Sequence, residues 1–353
     1  MRVLDTRHGG LPLPAFLPDG TRGVVRTVDG VDLARSSVRG VMVNTLHLGE
    51  TPGTEAVRAA GGIHRFMGWD GPVVSDSGGF QAYSLQLAPG KLAKVTADGF
   101  SYRLKPGARR RLLTAERCVH QQLRLGSDVI FCLDECTHPG APAEVQRESV
   151  ERTLRWARLG RATLEQELPR RGHDHPLVFA VVQGGMDHDL RRRCAEGLLE
   201  IGFDGFGFGG WPIDDRGRLV EMVAEVADLL PADVPKHALG IGRPENIIAA
   251  YRAGYTMFDC TLPTRNARRG AVYVFTGEAI GDDAGFYRQI RVDGERFRRD
   301  ARPIEETCDC ATCTHFSRAY IAHLFAIGDG LGLRLATLHN LRFYTRLMEA
   351  LGG

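Results

Sequence analysis

An eightfold (β/α) barrel with a cysteine-bearing C-terminal appendage is the fold predicted by this 353-residue sequence, and three observations predict it. Eight apolar runs, most ending in Gly or an acid, alternate with longer helix-like stretches. The runs are continuously apolar rather than alternating, which is the mark of parallel strands covered on both faces. The length suits one α/β barrel of ~250 residues plus an additional unit. An open doubly wound sheet shares the same alternation and is the competing fold, because sequence does not show closure.

Taken in order, the strand candidates lie at 14–17, 40–44, 72–76, 128–134, 177–183, 205–210, 237–242 and 256–259. Helix start signals separate them: Thr54-Glu55 leads into an Ala-rich stretch, and Pro142-Ala143-Glu144 opens a long charged helix running to about Glu167. Helices over 187–199, 214–230 and 243–253 complete the alternation. Residues 86–107 interrupt it after the third strand, and the alternating Phe100-Ser101-Tyr102-Arg103-Leu104 reads as part of a small hairpin insertion. The chain therefore divides into a barrel over 1–263 and a subdomain over 264–353, packed on the barrel because no Ser/Gly-rich linker separates them.

The 45 Lys+Arg against 43 Asp+Glu give a net charge of only +2, so affinity for nucleic acid would have to come from local clustering. The sequence contains neither an 18-residue apolar run nor a signal-like N-terminus, so a cytoplasmic protein with no membrane partner is expected. Three of the eight cysteines, Cys308, Cys310 and Cys313, crowd into six residues, which in a reducing compartment points to metal. Three thiolates and one imidazole would close a tetrahedral Zn²⁺ site with no open position, a structural rather than catalytic centre. His315, His323 and His339 are all candidates for the fourth ligand.

In a barrel, polar groups at the strand ends face one cavity, and here they are Asp76, Asp134, Gln183, Gly209 with Gly210, and Asp259. Such a set burdens stability, since every buried polar group needs a partner. It suits a planar polar heterocycle: Asp134 could accept from a guanine-like edge, Gln183 could bond a carbonyl or ring nitrogen, and glycine backbone could approach closely. Two further acids would allow one to attack a glycosidic carbon while the other moves the proton of the departing base. After Asp259 comes a proline break at Pro263, then Arg265 and Arg268 in an expected loop, suited to an anionic polymer. The plainer reading is that Asp259 caps the turn and the arginines are solvated.

At Asp76-Ser77-Gly78-Gly79-Phe80-Gln81 and at Met257-Phe258-Asp259-Cys260-Thr261-Leu262-Pro263-Thr264-Arg265-Asn266-Ala267-Arg268 the chain resembles the queuosine-type tRNA-guanine transglycosylases, most closely the bacterial form. Asn44-Thr45 with His47, Ala60-Gly61-Gly62-Ile63-His64, Asp134-Glu135-Cys136, Val182-Gln183-Gly184-Gly185, Gly240-Ile241-Gly242-Arg243-Pro244-Glu245-Asn246 and the cysteine tail extend the likeness over nearly the whole sequence. The resemblance implies Asp259 as nucleophile and Asp76 as general acid/base. It implies base recognition by Asp134, Gln183, Gly209, Gly210 and Leu239, and contact of Arg265 and Arg268 with anticodon-loop bases. It implies His339 as the fourth zinc ligand, and a homodimer through Phe66, Phe316, Tyr320 and His323. The substrates it implies are tRNA with a G-U-N anticodon, guanine, and a free 7-deazaguanine base.

The sequence departs from the family at Trp211-Pro212-Ile213-Asp214-Asp215, where Leu and small residues are usual. Ile213 stands where enzymes that accept queuine tend to carry glycine, which favours the smaller 7-aminomethyl-7-deazaguanine. Asp215 replaces a glutamate that supports the glycine backbone, Leu46 replaces a tyrosine, and Lys105-Pro106-Gly107 replaces a usual His-Ile-Asp-Gly stretch. These changes leave room for a paralogue acting on another polynucleotide such as DNA. A non-catalytic RNA-binding subunit is the reading from another class, opposed by the presence of both Asp76 and Asp259.

Overall fold

The computed structural model describes residues 2–170, 175–277, 279–281 and 284–353. Its centre is a sheet of eight parallel strands: β1 Ala15–Pro18, β2 Val41–Asn44, β3 Val73–Asp76, β4 Val129–Phe131, β5 Leu177–Val182, β6 Gly205–Phe208, β7 Lys236–Ala238 and β8 Met257–Cys260. Their spatial order is β1-β8-β7-β6-β5-β4-β3-β2. The remaining gap closes just past β1, where the Gly20 amide donates to the Met42 carbonyl at 2.7 Å and the Asn44 amide to the Thr21 carbonyl at 3.2 Å. Asp19 and Met42 form a parallel bridge there. The sheet is thus a barrel rather than an open doubly wound layer.

Buried side chains from alternate strand positions, among them Leu17, Met42, Val74, Phe131, Phe179 and Met257, share one cluster with Leu11 and Leu13. The latter two belong to an N-terminal hairpin, Arg2–Thr6 paired with Gly9–Leu13, that covers the amino ends of the strands. Asp128, just before β4, fastens this end. Its carboxylate bonds His8 Nδ1 at 2.7 Å, His64 Nε2 at 2.9 Å and the Val73 amide at 2.8 Å.

Helices form near the expected positions at Thr54–Ala59, Ala143–Glu167, His188–Ile201 and Pro244–Arg252. Three expectations are corrected. The helix expected over 214–230 is confined to Met222–Asp228, because the Asp214 carboxylate captures the Arg216 and Arg218 amides and the Arg218 guanidinium. Such local side-chain bonds compete with helix formation. The insertion over 86–107 runs on to residue 114, where Arg111–Thr114 adds a third antiparallel strand to the Ala93–Thr96 and Gly99–Tyr102 hairpin. The loop expected after Pro263 is a short helix, Leu262–Ala267, with the proline in its first turn, where no amide donor is needed.

The C-terminal region adds a hairpin, Ala271–Phe275 with Tyr287–Arg291, and helices Ala311–His315, Arg318–Ala326 and Gly330–Gly352. The last of these returns to the barrel. Its Tyr344 packs on Phe16 with ring centroids 4.5 Å apart and donates to the Gly242 carbonyl at 2.6 Å. Phe343, Leu347 and Met348 join the same core as β5 to β8.

Candidate functional site at the barrel mouth

The carboxyl ends of the strands gather the polar groups picked out by sequence. Asp76 ends β3 opposite Asn44 of β2. Asn44 Nδ2 donates to Asp76 Oδ2 at 2.6 Å and the Thr45 amide to Oδ1 at 3.1 Å, while Asn44 Oδ1 caps the next helix by accepting the His47 amide at 2.8 Å. One side chain therefore starts a helix and orients an acid. Burial pushes the Asp76 pKa up to about 7; these hydrogen bonds oppose the rise and the negative charge of Asp259 adds to it. Near neutral pH the group can both carry and release a proton.

Asp259 is held differently. The Gly240 amide and His237 Nε2 each reach the same oxygen, Oδ1, at 3.0 Å, and the side chain is 18% exposed. Oδ2 takes part in neither bond. A further carboxylate, Asp19, follows β1. Burial raises its pKa, with Asp259 contributing repulsion, and it accepts from Thr21. Asp19 is absent from the acids expected from sequence because the first apolar run, Pro14-Ala15-Phe16-Leu17, stops short of it; an acid closing a strand, as at Asp76, occurs equally at Pro18-Asp19.

The residues expected from sequence to meet the base come together at the same strand ends. Gln183 Nε2 donates to Asp134 Oδ2 at 2.7 Å and Ser77 Oγ to Oδ1 at 3.1 Å, and burial pushes the Asp134 pKa up to about 6. A Cβ on Gly209 would stand 2.4 Å from Gln183 Nε2 and so would push the Gln183 amide from its place, and Gly210 has φ +96°. Leu239 is half-buried against the interior cluster that contains Phe131 and Val181. Behind the glycines lies Arg191, which sequence reading also missed because it looks like any helix arginine. It is 1% exposed and donates to the carbonyls of Val182 at 2.5 Å, Gly185 at 2.9 Å and Gly209 at 2.8 Å. Its burial lowers its pKa to about 10. Asp215, which stands where the family has a glutamate supporting this backbone, is exposed; the bond to the Gly209 carbonyl comes from Arg191.

Arginines crowd the rim. Arg265 is exposed on the helix after β8, while Arg268 is half-buried with Nη1 buried and without a partner. Burial and the nearby Arg26 lower the Arg268 pKa, Asp19 opposes, and Arg265 and Arg269 add to the lowering. Trp211 is 39% exposed, its ring 6.3 Å from that of Phe80 and 5.9 Å from that of His138, so it forms part of an aromatic rim.

A second cluster lies in the C-terminal region. Cys308, Cys310, Cys313 and His339 are all buried, and their ligand atoms lie within 4.8 Å of one another. His339 Nε2 bonds the Tyr273 carbonyl at 2.6 Å, which turns Nδ1 toward the thiols, 3.3 Å from Cys313 Sγ and 3.7 Å from Cys310 Sγ. The group can hold a metal, and a ligating histidine whose other nitrogen is fixed by a carbonyl is typical of such sites. His315 and His323 are exposed, which removes them as ligands. The neighbouring Asn340 ties this corner to the mouth by donating to the Pro263 and Ala271 carbonyls at 2.9 and 3.1 Å. His8, His64 and Asp128 also converge, but Arg7 Nε lies 3.7 Å from Asp128 Oδ1 and both carboxylate oxygens are already bonded, so this group is a clamp.

No helix among the described residues is long and apolar enough to cross a membrane. The profile of the family described as Queuine tRNA-ribosyltransferase matches residues 1–351. Over 347 residues the chain is 40% identical to a protein named queuine tRNA-ribosyltransferase from Solidesulfovibrio magneticus, covering 98% of this chain and 88% of the relative. A protein of the same name from Nitrosospira multiformis is 41% identical over 347 residues, covering 98% and 89% respectively.

Proposed function

The chain belongs to the queuine tRNA-ribosyltransferase family, and from that premise we propose that it exchanges the wobble guanine of tRNAs with G-U-N anticodons for a free 7-deazaguanine base, in queuosine biosynthesis. The observation that carries the chemistry is the unlike state of two facing acids. Asp76 is pushed up to about 7 and stays proton-competent, whereas Asp259 has its donors on one oxygen only. In the first half-reaction Asp259 Oδ2 attacks C1′ of the extruded guanosine, the C1′–N9 bond breaks, and Asp76 supplies the proton to the leaving guanine. In the second, the incoming base loses a proton to Asp76 as its nitrogen attacks C1′, and the C1′–Oδ2 pair returns to the carboxylate. Two displacements give overall retention.

Asp134 and Gln183 read the polar edge of the base, Gly209 and Gly210 meet it with backbone, and Leu239 lies against its face. Arg265 and Arg268 take the neighbouring anticodon-loop bases, which fits a basic rim and single-stranded RNA. Trp211 beside Phe80 and His138 narrows the rim, which supports 7-aminomethyl-7-deazaguanine over queuine. The Cys308, Cys310, Cys313 and His339 donors suit one structural Zn²⁺ per chain, since three thiolates and an imidazole complete a tetrahedron. The zinc would brace the helix carrying Arg265 rather than enter the reaction. Phe66 and Tyr320 are 42% and 39% exposed, and Phe316 stacks on Tyr320 at 5.3 Å, which supports a homodimer through this aromatic face. A cytoplasmic location follows from the tRNA substrate.

The test is exchange of radiolabelled guanine into unmodified tRNA, run beside DNA of the same loop sequence and with each deazaguanine as chase. Label entering tRNA alone and displaced best by the aminomethyl base supports the proposal. Label in DNA, or in neither polymer, overturns it.

A further inference from the structure

His237 is the first side chain behind Asp259, and none of the roles above uses it. It sits on β7, in register with Met257 of β8, and is fully buried. Its Nε2 lies 3.0 Å from Asp259 Oδ1. Its Nδ1 is buried without a hydrogen-bond partner, and the ring of Phe131 lies 5.7 Å away. A proton on Nδ1 would be a buried donor with no acceptor, so the arrangement selects the neutral tautomer with its hydrogen on Nε2. The Gly240 amide, 3.0 Å from the same oxygen, adds a second neutral donor. Neither donor cancels the carboxylate charge.

We infer that His237 is a positioning residue that, with the Gly240 amide, forms a two-donor cradle for Asp259 Oδ1, selecting Oδ2 as the attacking atom and stabilising the carboxylate when it leaves C1′. The inference rests on the proposed nucleophile role of Asp259. In the attack, Oδ2 donates the electron pair that forms the ester and the donors stay on Oδ1, now the ester carbonyl oxygen. In the second half-reaction the C1′–Oδ2 pair returns to the carboxylate, and negative charge builds again on the oxygen that both donors hold. Loss of one preorganised donor at such an oxygen slows a reaction about 10²-fold. The loss falls more on release of the ester than on its formation, because the donors weaken a nucleophile and improve a leaving group. The covalent enzyme–RNA species should therefore accumulate.

The experiment compares wild type, His237→Phe, His237→Gln and Asp259→Asn in the full chain. The readouts are single-turnover ester formation on denaturing gels, steady-state exchange, tRNA Kd and Tm. His237→Phe is expected to cut exchange about 10²-fold and to raise the steady-state fraction of covalent RNA, with tRNA Kd within a factor of about two. His237→Gln, whose amide N–H can take the place of Nε2–H, is expected to restore at least a third of the rate. If His237→Phe exchanges at the wild-type rate, or if Gln and Phe fail alike while both keep the wild-type Tm, the inference falls and the Asp259 reading stands. If Asp259→Asn still forms the covalent species, the nucleophile assignment itself fails. A purely structural role for His237 would lower Tm and raise tRNA Kd without accumulation, and that outcome also overturns the inference.

Discussion

The two ends of the barrel each hold a carboxylate bonded to histidine, and they are finished differently. At the amino end, Asp128 receives His8, His64 and the Val73 amide across both oxygens, and although burial works to raise its pKa these bonds bring it below the ordinary value. At the carboxyl end, the His237 and Gly240 bonds to Asp259 fall on one oxygen, while Asp76 is pushed up to about 7. A saturated acid stabilises a fold; an acid with an oxygen left over, beside one that keeps its proton, is arranged for chemistry. The same two residue types therefore make a saturated clamp at one end and, at the other, a half-bonded acid that suits the proposed nucleophile role.

Asp259→Asn removes the proposed attacking group, so exchange should fall by at least about 10³-fold with Tm nearly unchanged; a residual rate above a tenth of wild type would undo the proposed nucleophile role. Asp128→Asn should do the opposite. Breaking a buried charge network costs about 3 kcal/mol, read as a lower urea midpoint, and the kcat of the surviving folded enzyme should stay within about twofold.

The pH profile sharpens the contrast further. The Asp76 pKa is raised, so its proton is held up to about pH 7 and lost above it; kcat/KM should fall about tenfold per unit on the alkaline side of that value, where the acid form is lost. Asp128 has a lowered pKa, so the stability it contributes is present above the unfolded carboxylate range and disappears as pH falls through the folded value. Activity should thus fail first in alkali and the clamp in acid, followed by rate and by circular dichroism respectively. The smallest effect is expected at the rim. Arg265→Ala should weaken tRNA binding about fivefold to tenfold and flatten its salt dependence while leaving guanine binding alone, as measured by filter binding at several salt concentrations.

What the sequence disclosed follows the same division. The eight strands and the acids ending β3 and β8 were legible because parallel strands are apolar throughout and then stop at a polar residue. The cysteine cluster was legible because six residues holding three thiols is rarely a surface accident. His237 and Arg191 were not, since each lies within an otherwise ordinary strand or helix pattern and its role depends on what stands opposite. Arg191 matters only because it meets three carbonyls that lie far from it in sequence or across a turn. The missing helix at 214–221 had a local cause, Asp214 bonding its own following amides, and that competition was visible in principle as an Asp followed by two arginines.

The cysteine cluster is linked to the barrel mouth. His339 is fixed by the Tyr273 carbonyl, Asn266 on the arginine-bearing helix donates to the Tyr273 hydroxyl at 2.7 Å, and Asn340 holds the Pro263 carbonyl at the start of that helix. Order at Arg265 thus depends on packing around the cysteine cluster. The barrel supplies the acids, and the C-terminal region fixes the cations around them.

The most direct test of this account is the covalent intermediate. Wild type and Asp128→Asn, incubated with tRNA and quenched in denaturant, should both yield a protein–RNA species, and digestion followed by mass spectrometry should place the ribose on the peptide containing Asp259. A ribose found on Asp76 or Asp19, or active exchange with no covalent species in either protein, would contradict it.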